Sequence, residues 1–86
     1  MKVRVVITGR GYPAAERLPE ELTLADGCSL DEALQTLAAL APAGRGLDGS
    51  CLVAVSGTHL GTIRSHRARV LGDGDELTII APVAGG

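Results

Sequence analysis

Aromatic side chains are almost missing from this 86-residue chain: Tyr12 is the only one, with no Phe and no Trp. Binding of single-stranded nucleic acid by base stacking needs aromatic platforms, so that class loses its support. A surplus of positive charge is missing as well. Eight Lys and Arg stand against ten Asp and Glu, a formal charge of −2 at pH 7, whereas a general polyanion binder carries a basic excess. No long apolar run is present near the start, where Val3, Val5, Val6 and Ile7 are interrupted by Arg4 before Gly9. That pattern gives neither a secretory core nor a membrane span, so a cytoplasmic protein with no membrane or nucleic-acid partner is expected. Cysteine is scarce too. Cys28 and Cys51 lack CxxC spacing and are too few to build a zinc site alone. In a reducing compartment they read as buried or bystander thiols, with a disulfide or a nucleophile as the minority alternatives.

What is present is aliphatic. Apolar residues make up 45% of the chain, enough for one small core in a domain that buries roughly 60–65% of its unfolded surface. A single domain over residues 1–86 is expected, with residues 81–86 projecting as a tail. Residues 2–8, KVRVVIT, are β-branched and partly alternating, which predicts a strand ending at the Gly9/Gly11 turn. ELTLADG alternates Leu22 and Leu24 with Glu21 and Thr23 and predicts a second strand. Ser29-Leu30-Asp31-Glu32 fits the S-x-x-E capping box, so a helix should start there. Leu30, Ala33, Leu34, Leu37, Leu40 and Ala41 then form one apolar stripe, which Pro42, Gly44 and Gly46 end. CLVAVSG predicts a central strand and Ser56 to His59 the turn after it. Leu60 to Arg69 reads as a short edge strand plus loop, GDGDE as a tight turn and ELTIIA as the last strand. The expected fold is α+β, a mixed sheet of four or five strands with one main helix on one face.

Three local motifs suggest chemistry and lose it in context. Gly9-Arg10-Gly11-Tyr12-Pro13-Ala14 satisfies G-x-G-x-x-A after a strand, yet Pro19 leaves no room for the helix that a dinucleotide site needs. No GxxxxGK[ST] occurs, so the chain should not hold ATP itself. Asp73-Gly74-Asp75-Glu76 lacks calcium-loop spacing and is good turn chemistry. His59 and His66 have no neighbouring ligand at metal spacing and read as surface or turn histidines. Arg64, Arg67 and Arg69 with His66 form a basic cluster, either a solvated face or a docking patch for an acidic partner. No metal, no bound cofactor and no catalytic residue is expected.

Two strands break strict alternation. CLVAV and LTIIA should leave apolar side chains on the face opposite the single helix, among Val53, Val55, Ile79 and Ile80 depending on register. An uncovered apolar face implies a covering loop or a partner surface, and partner docking is the expectation.

The sequence closes on Ala81-Pro82-Val83-Ala84-Gly85-Gly86. Pro82 has no amide hydrogen for the ladder, so Val83, Ala84, Gly85 and Gly86 should form an arm whose tip lacks side chains that could obstruct a narrow channel. The reactive group such an arm presents is the Gly86 α-carboxylate. A carboxylate is a poor electrophile; joined to AMP as a mixed anhydride, it gains a good leaving group and sulfur or an amine can attack its carbonyl. Nothing in the chain performs that activation. A separate adenylating enzyme, using its own ATP, must supply it.

LGDGDELTIIAPVAGG resembles the ending of the ubiquitin-like β-grasp sulfur carriers of the MoaD and ThiS types, and CLVAVSGTHL is similar to a strand and turn of the same group. The resemblance implies a β-grasp fold, adenylation of Gly86 by an enzyme like the ubiquitin activators, conversion to a thiocarboxylate, and sulfur delivery in a larger partner's active site. Pro82 and Val83 look closest to the molybdopterin branch, where that partner is the large subunit of molybdopterin synthase. Departures are the long first connection GRGYPAAERLPE, the missing strand aromatics, and Ser56-Gly57 where Asn-Gly is usual. Thiamine synthesis, sulfur donation to another metabolite, protein modification through Gly86 and non-covalent interaction remain the alternatives.

Overall fold

The computed structural model describes residues 1–8, 20–40 and 49–80. Strand β1 (Lys2–Thr8) buries Val3 and Val5 and exposes Lys2 and Arg4, as period-two alternation requires. Strand β2 (Glu21–Thr23) pairs antiparallel with it, Leu22 opposite Val3. The strand is shorter than ELTLADG suggests. After Thr23 the chain turns, with Gly27 at φ +82° and the Cys28 amide donating to the Ala25 carbonyl at 3.1 Å.

Helix α1 (Leu30–Leu40) begins where the capping motif places it. The Ser29 hydroxyl accepts from the Glu32 amide at 3.1 Å, a cap worth about 1 kcal/mol. The Cys28 thiol donates to the Ser29 carbonyl at 3.6 Å. Leu30, Ala33, Leu34 and Leu37 are buried as the stripe predicts, whereas Leu40 is 52% exposed; Ala41 lies outside the described residues.

Strands β3 (Leu52–Val55) and β4 (Thr58–Thr62) form a hairpin. Its turn is Ser56-Gly57 alone, with φ +47° and +87°, the two positive values of a type I′ turn, whose twist suits a hairpin. The edge strand therefore starts at Thr58 and takes in His59, earlier than the sequence suggests. A bulge between Val53 and Ala54 lets Leu60 enter the core. Residues 65–67 fold back along β4, the Arg67 amide donating to the Leu60 carbonyl at 2.9 Å, which covers that sheet edge with the chain's own backbone.

Strand β5 (Glu76–Ile80) runs parallel to β1 and antiparallel to β3, giving the order β2-β1-β5-β3-β4. The helix packs on one face against Val3, Val5, Val53, Val55, Leu77 and Ile79. The GDGDE turn ties the sheet together. Asp73 Oδ1 accepts from the Lys2 amide at 2.7 Å, the Gly74 amide donates to the Lys2 carbonyl at 2.8 Å, and the Asp75 carbonyl accepts from the Arg4 amide at 2.9 Å.

Candidate functional site

The ladder fixes where the last strand delivers the chain. Ile80 lies between Thr8 of β1 and Leu52 of β3, and β5 ends there. Pro82, Val83, Ala84, Gly85 and Gly86 lie outside the described residues, as do the Gly9–Ala14 motif and the helix stop at Pro42, Gly44 and Gly46.

The sheet face beside this exit differs from the expected one. Val53, Val55 and Ile79 are fully buried under the helix and cannot meet a partner. Ile80 alone of the four sits on the opposite face, and it is half-buried. Alternation puts Val6, Leu52, Ala54 and Thr78 beside it. Leu52 is 46% exposed, and Ala54, although buried, stands outside the core cluster beneath the helix. The apolar face therefore exists one residue out of phase with the expectation in β3, because a single step along a strand swaps faces. The signal lay in β1 and β5, where Arg4 and Thr78 mark the wet face and put Val6 and Ile80 in phase with them.

Asp75, Cys28 and His66 are engaged in structure. Asp75 accepts from the Ser56 hydroxyl and from the Gly72 amide, each at 2.7 Å. The Gly72 bond, then the Ser56 bond, with the nearby Arg69 charge, hold its carboxyl below the usual range. The acidic cluster is thus a turn, as its glycine spacing indicates. Burial pushes the Cys28 thiol up, and the Glu32 carboxylate adds to the shift. A thiol held protonated is a poor nucleophile. Both Cys28 and Cys51 are buried thiols.

Of the two readings of the histidines, surface or turn, His66 takes the second: it follows the bend at residues 63–65 and its side chain is only 10% exposed. Nδ1 lies 3.0 Å from the Thr62 carbonyl and 3.1 Å from that of Ile63, two acceptors, so Nδ1 carries a proton. Nε2 faces Asp31 at 3.6 Å. His59 is exposed. Among the described residues no three His, Cys, Asp or Glu side chains gather as a metal site, and no helix there is long and apolar enough to cross a membrane.

The comparison that decides the family covers residues 5–86, which match the ThiS family model. The chain belongs to the ThiS family. Its members are ubiquitin-like sulfur carriers with a β-grasp fold, and the five-stranded mixed sheet holding one helix is that fold. The match runs through both terminal glycines. No curated protein and no solved structure matches the chain at a significant level.

Proposed function

We propose that the protein carries sulfur on Gly86 for a biosynthetic enzyme. The observation that carries this reading is the family match extending through Gly86, joined to strand pairing that brings the chain to the Leu52–Ile80 end of the sheet just before the tail.

In this scheme the Gly86 carboxylate attacks the α-phosphorus of ATP on an adenylating enzyme, giving the acyl adenylate and pyrophosphate. A hydrosulfide equivalent then displaces AMP at the carbonyl and leaves the thiocarboxylate. Gly85 has no β-carbon to obstruct an approach to that carbonyl, and Pro82 has no amide hydrogen to donate to a ladder, which supports reading Val83 and Ala84 as part of the presented arm. The face of Val6, Leu52 and Ile80, at whose edge the last described strand ends, gives the adenylating enzyme an apolar surface to dock on. This chain supplies the carrier group and the docking surface, while the partner supplies the nucleotide chemistry.

For the acceptor, Pro82-Val83 before the glycines favours the molybdopterin branch, with the large synthase subunit as second partner and a cyclic pyranopterin monophosphate as the sulfur acceptor. The thiamine pathway shares every step up to the thiocarboxylate. Supplying the thiocarboxylate form to each synthase separates the two, since only the cognate enzyme consumes it.

The decisive test is intact mass spectrometry after incubation with the adenylating enzyme, ATP and sulfide. Exchange of one oxygen for sulfur adds about 16 mass units, the mark of a covalent carrier. An unchanged mass, together with full complementation by a chain lacking Gly86, would remove the reading. High-mass conjugates that vanish without the two glycines would instead indicate a protein modifier.

A further inference from the structure

The basic cluster of the sequence divides once its surroundings are known. Arg69 neighbours Asp75, and His66 faces Asp31. Arg64 is different. Among the described residues no carboxylate lies within ion-pair distance of its guanidinium, yet the residue is fixed in place. Its amide donates to the Gly49 carbonyl at 2.9 Å, and its side chain lies across Gly49 so closely that a β-carbon there would stand 3.2 Å from Nε and 3.3 Å from Nη2. Gly49 is thus a cradle for the arginine, and the residue is exposed.

Its place in the fold gives this cation a use. Leu52 pairs with Thr62 on one side and with Ile80 on the other, so Thr62 lies about 10 Å from Ile80 across two strand spacings. Arg64 follows two residues later. A protein surface that covers Leu52 and Ile80 while gripping the tail therefore comes within reach of the guanidinium. An exposed arginine whose stem is already immobilised has less rotamer freedom to lose on meeting an anion, and its planar fork fits a carboxylate in two-point contact.

We propose that Arg64 is a partner-recognition residue, pairing with a carboxylate on the adenylating enzyme at the root of the tail. The proposal rests on the carrier reading for the identity of the partner. It adds what that partner must display: an apolar surface for Leu52 and Ile80, edged by an Asp or Glu that meets Arg64.

Isothermal titration of the full chain into the adenylating enzyme, without ATP, tests it on wild type, Arg64→Glu, Gly49→Ala and Arg67→Glu. Arg67 is exposed in the same cluster and also lacks an ion pair among the described residues, so it reports any diffuse effect of charge. At about 50 mM salt, Arg64→Glu is expected to weaken binding about tenfold or more and Arg67→Glu by less than about twofold, with the Arg64 effect shrinking at about 300 mM. Gly49→Ala keeps the charge but displaces the guanidinium, and should fall between wild type and Arg64→Glu. Equal affinity of Arg64→Glu and wild type, or equal losses for Arg64→Glu and Arg67→Glu, overturns the proposal, as does absence of wild-type binding. Intact-mass measurement on the same samples keeps the two readings apart. Binding that depends on Arg64 without any gain of sulfur removes the carrier function and leaves the contact, whereas sulfur gain with an indifferent Arg64 does the reverse.

Discussion

The Ser56 hydroxyl donates to Asp75 Oδ1 at 2.7 Å, joining the β3–β4 turn to the turn that leads into β5. The Glu76 amide meets the same hydroxyl oxygen at 3.3 Å, and the Ser56 amide donates to the Glu76 carbonyl at 2.8 Å. This connection accounts for a serine at φ +47°, where Asn or Gly is conformationally easier. The hydroxyl compensates for the backbone it strains. It also fixes the start of the strand that ends at the tail.

Acid should act through this pair. Hydrogen bonds from the Gly72 amide and the Ser56 hydroxyl depress the Asp75 pKa in the folded state, so the folded protein favours the ionised form more than the unfolded chain does. The resulting stability is complete above the unfolded pKa of about 3.9 and is lost as pH falls through the lower folded value. Urea midpoints of wild type and Asp75→Asn from pH 7 to pH 2 should show the variant less stable at neutral pH and the gap closing below about pH 4. A gap that stays constant across that range would mean that the carboxylate charge contributes nothing.

Two glycines with positive φ should respond to alanine by different amounts. At Gly61 (φ +129°) a β-carbon would collide with the Ser65 carbonyl oxygen, a backbone atom of the segment folded against β4. Gly57 (φ +87°) has open space around the same atom. Gly57→Ala therefore carries only the conformational cost, about 1 kcal/mol, while Gly61→Ala adds a backbone collision and should lose at least about 2–3 kcal/mol. Equilibrium urea unfolding measures both. Equal losses would show that the return of residues 65–67 along β4 relaxes freely.

Most of the fold was legible because local signals agreed with each other. Ser29 and the stripe from Leu30 to Leu37 specify a helix with one dry face, and Gly74 inside the acidic turn marks a chain reversal rather than a ligand cluster. The face assignment of β3 was less legible for a physical reason. Leu-Val-Ala-Val offers no polar residue to mark the wet side, and either register hides two apolar side chains. Only pairing with Thr78 and Ile80 settles that Leu52 and Ala54 face away from the helix. His66 is a turn histidine, bonded to the Thr62 and Ile63 carbonyls just before it, but its burial was less legible because Asp31 meets it only after the chain docks on the helix. Arg64 stood out only as one charge among several. Its distinction depends on Gly49, fifteen residues earlier in the chain.

The two faces of the sheet should separate stability from partner recognition. Ile79 is fully buried beneath the helix, so Ile79→Ala removes core volume and should cost about 2–5 kcal/mol. Leu52 is the most exposed apolar residue of the other face, and Leu52→Ser should change stability by no more than about 0.5 kcal/mol. In pyrophosphate release by the adenylating enzyme the order reverses. Leu52→Ser should raise KM for the carrier with kcat little changed, because the lost contact serves binding and lies away from the Gly86 carbonyl. Ile79→Ala, assayed below its unfolding midpoint, should keep a near-normal KM. An unchanged KM in Leu52→Ser would show that the enzyme holds the protein elsewhere, leaving the tail as its sole point of contact and the apolar face of β3 and β5 without a function in adenylation.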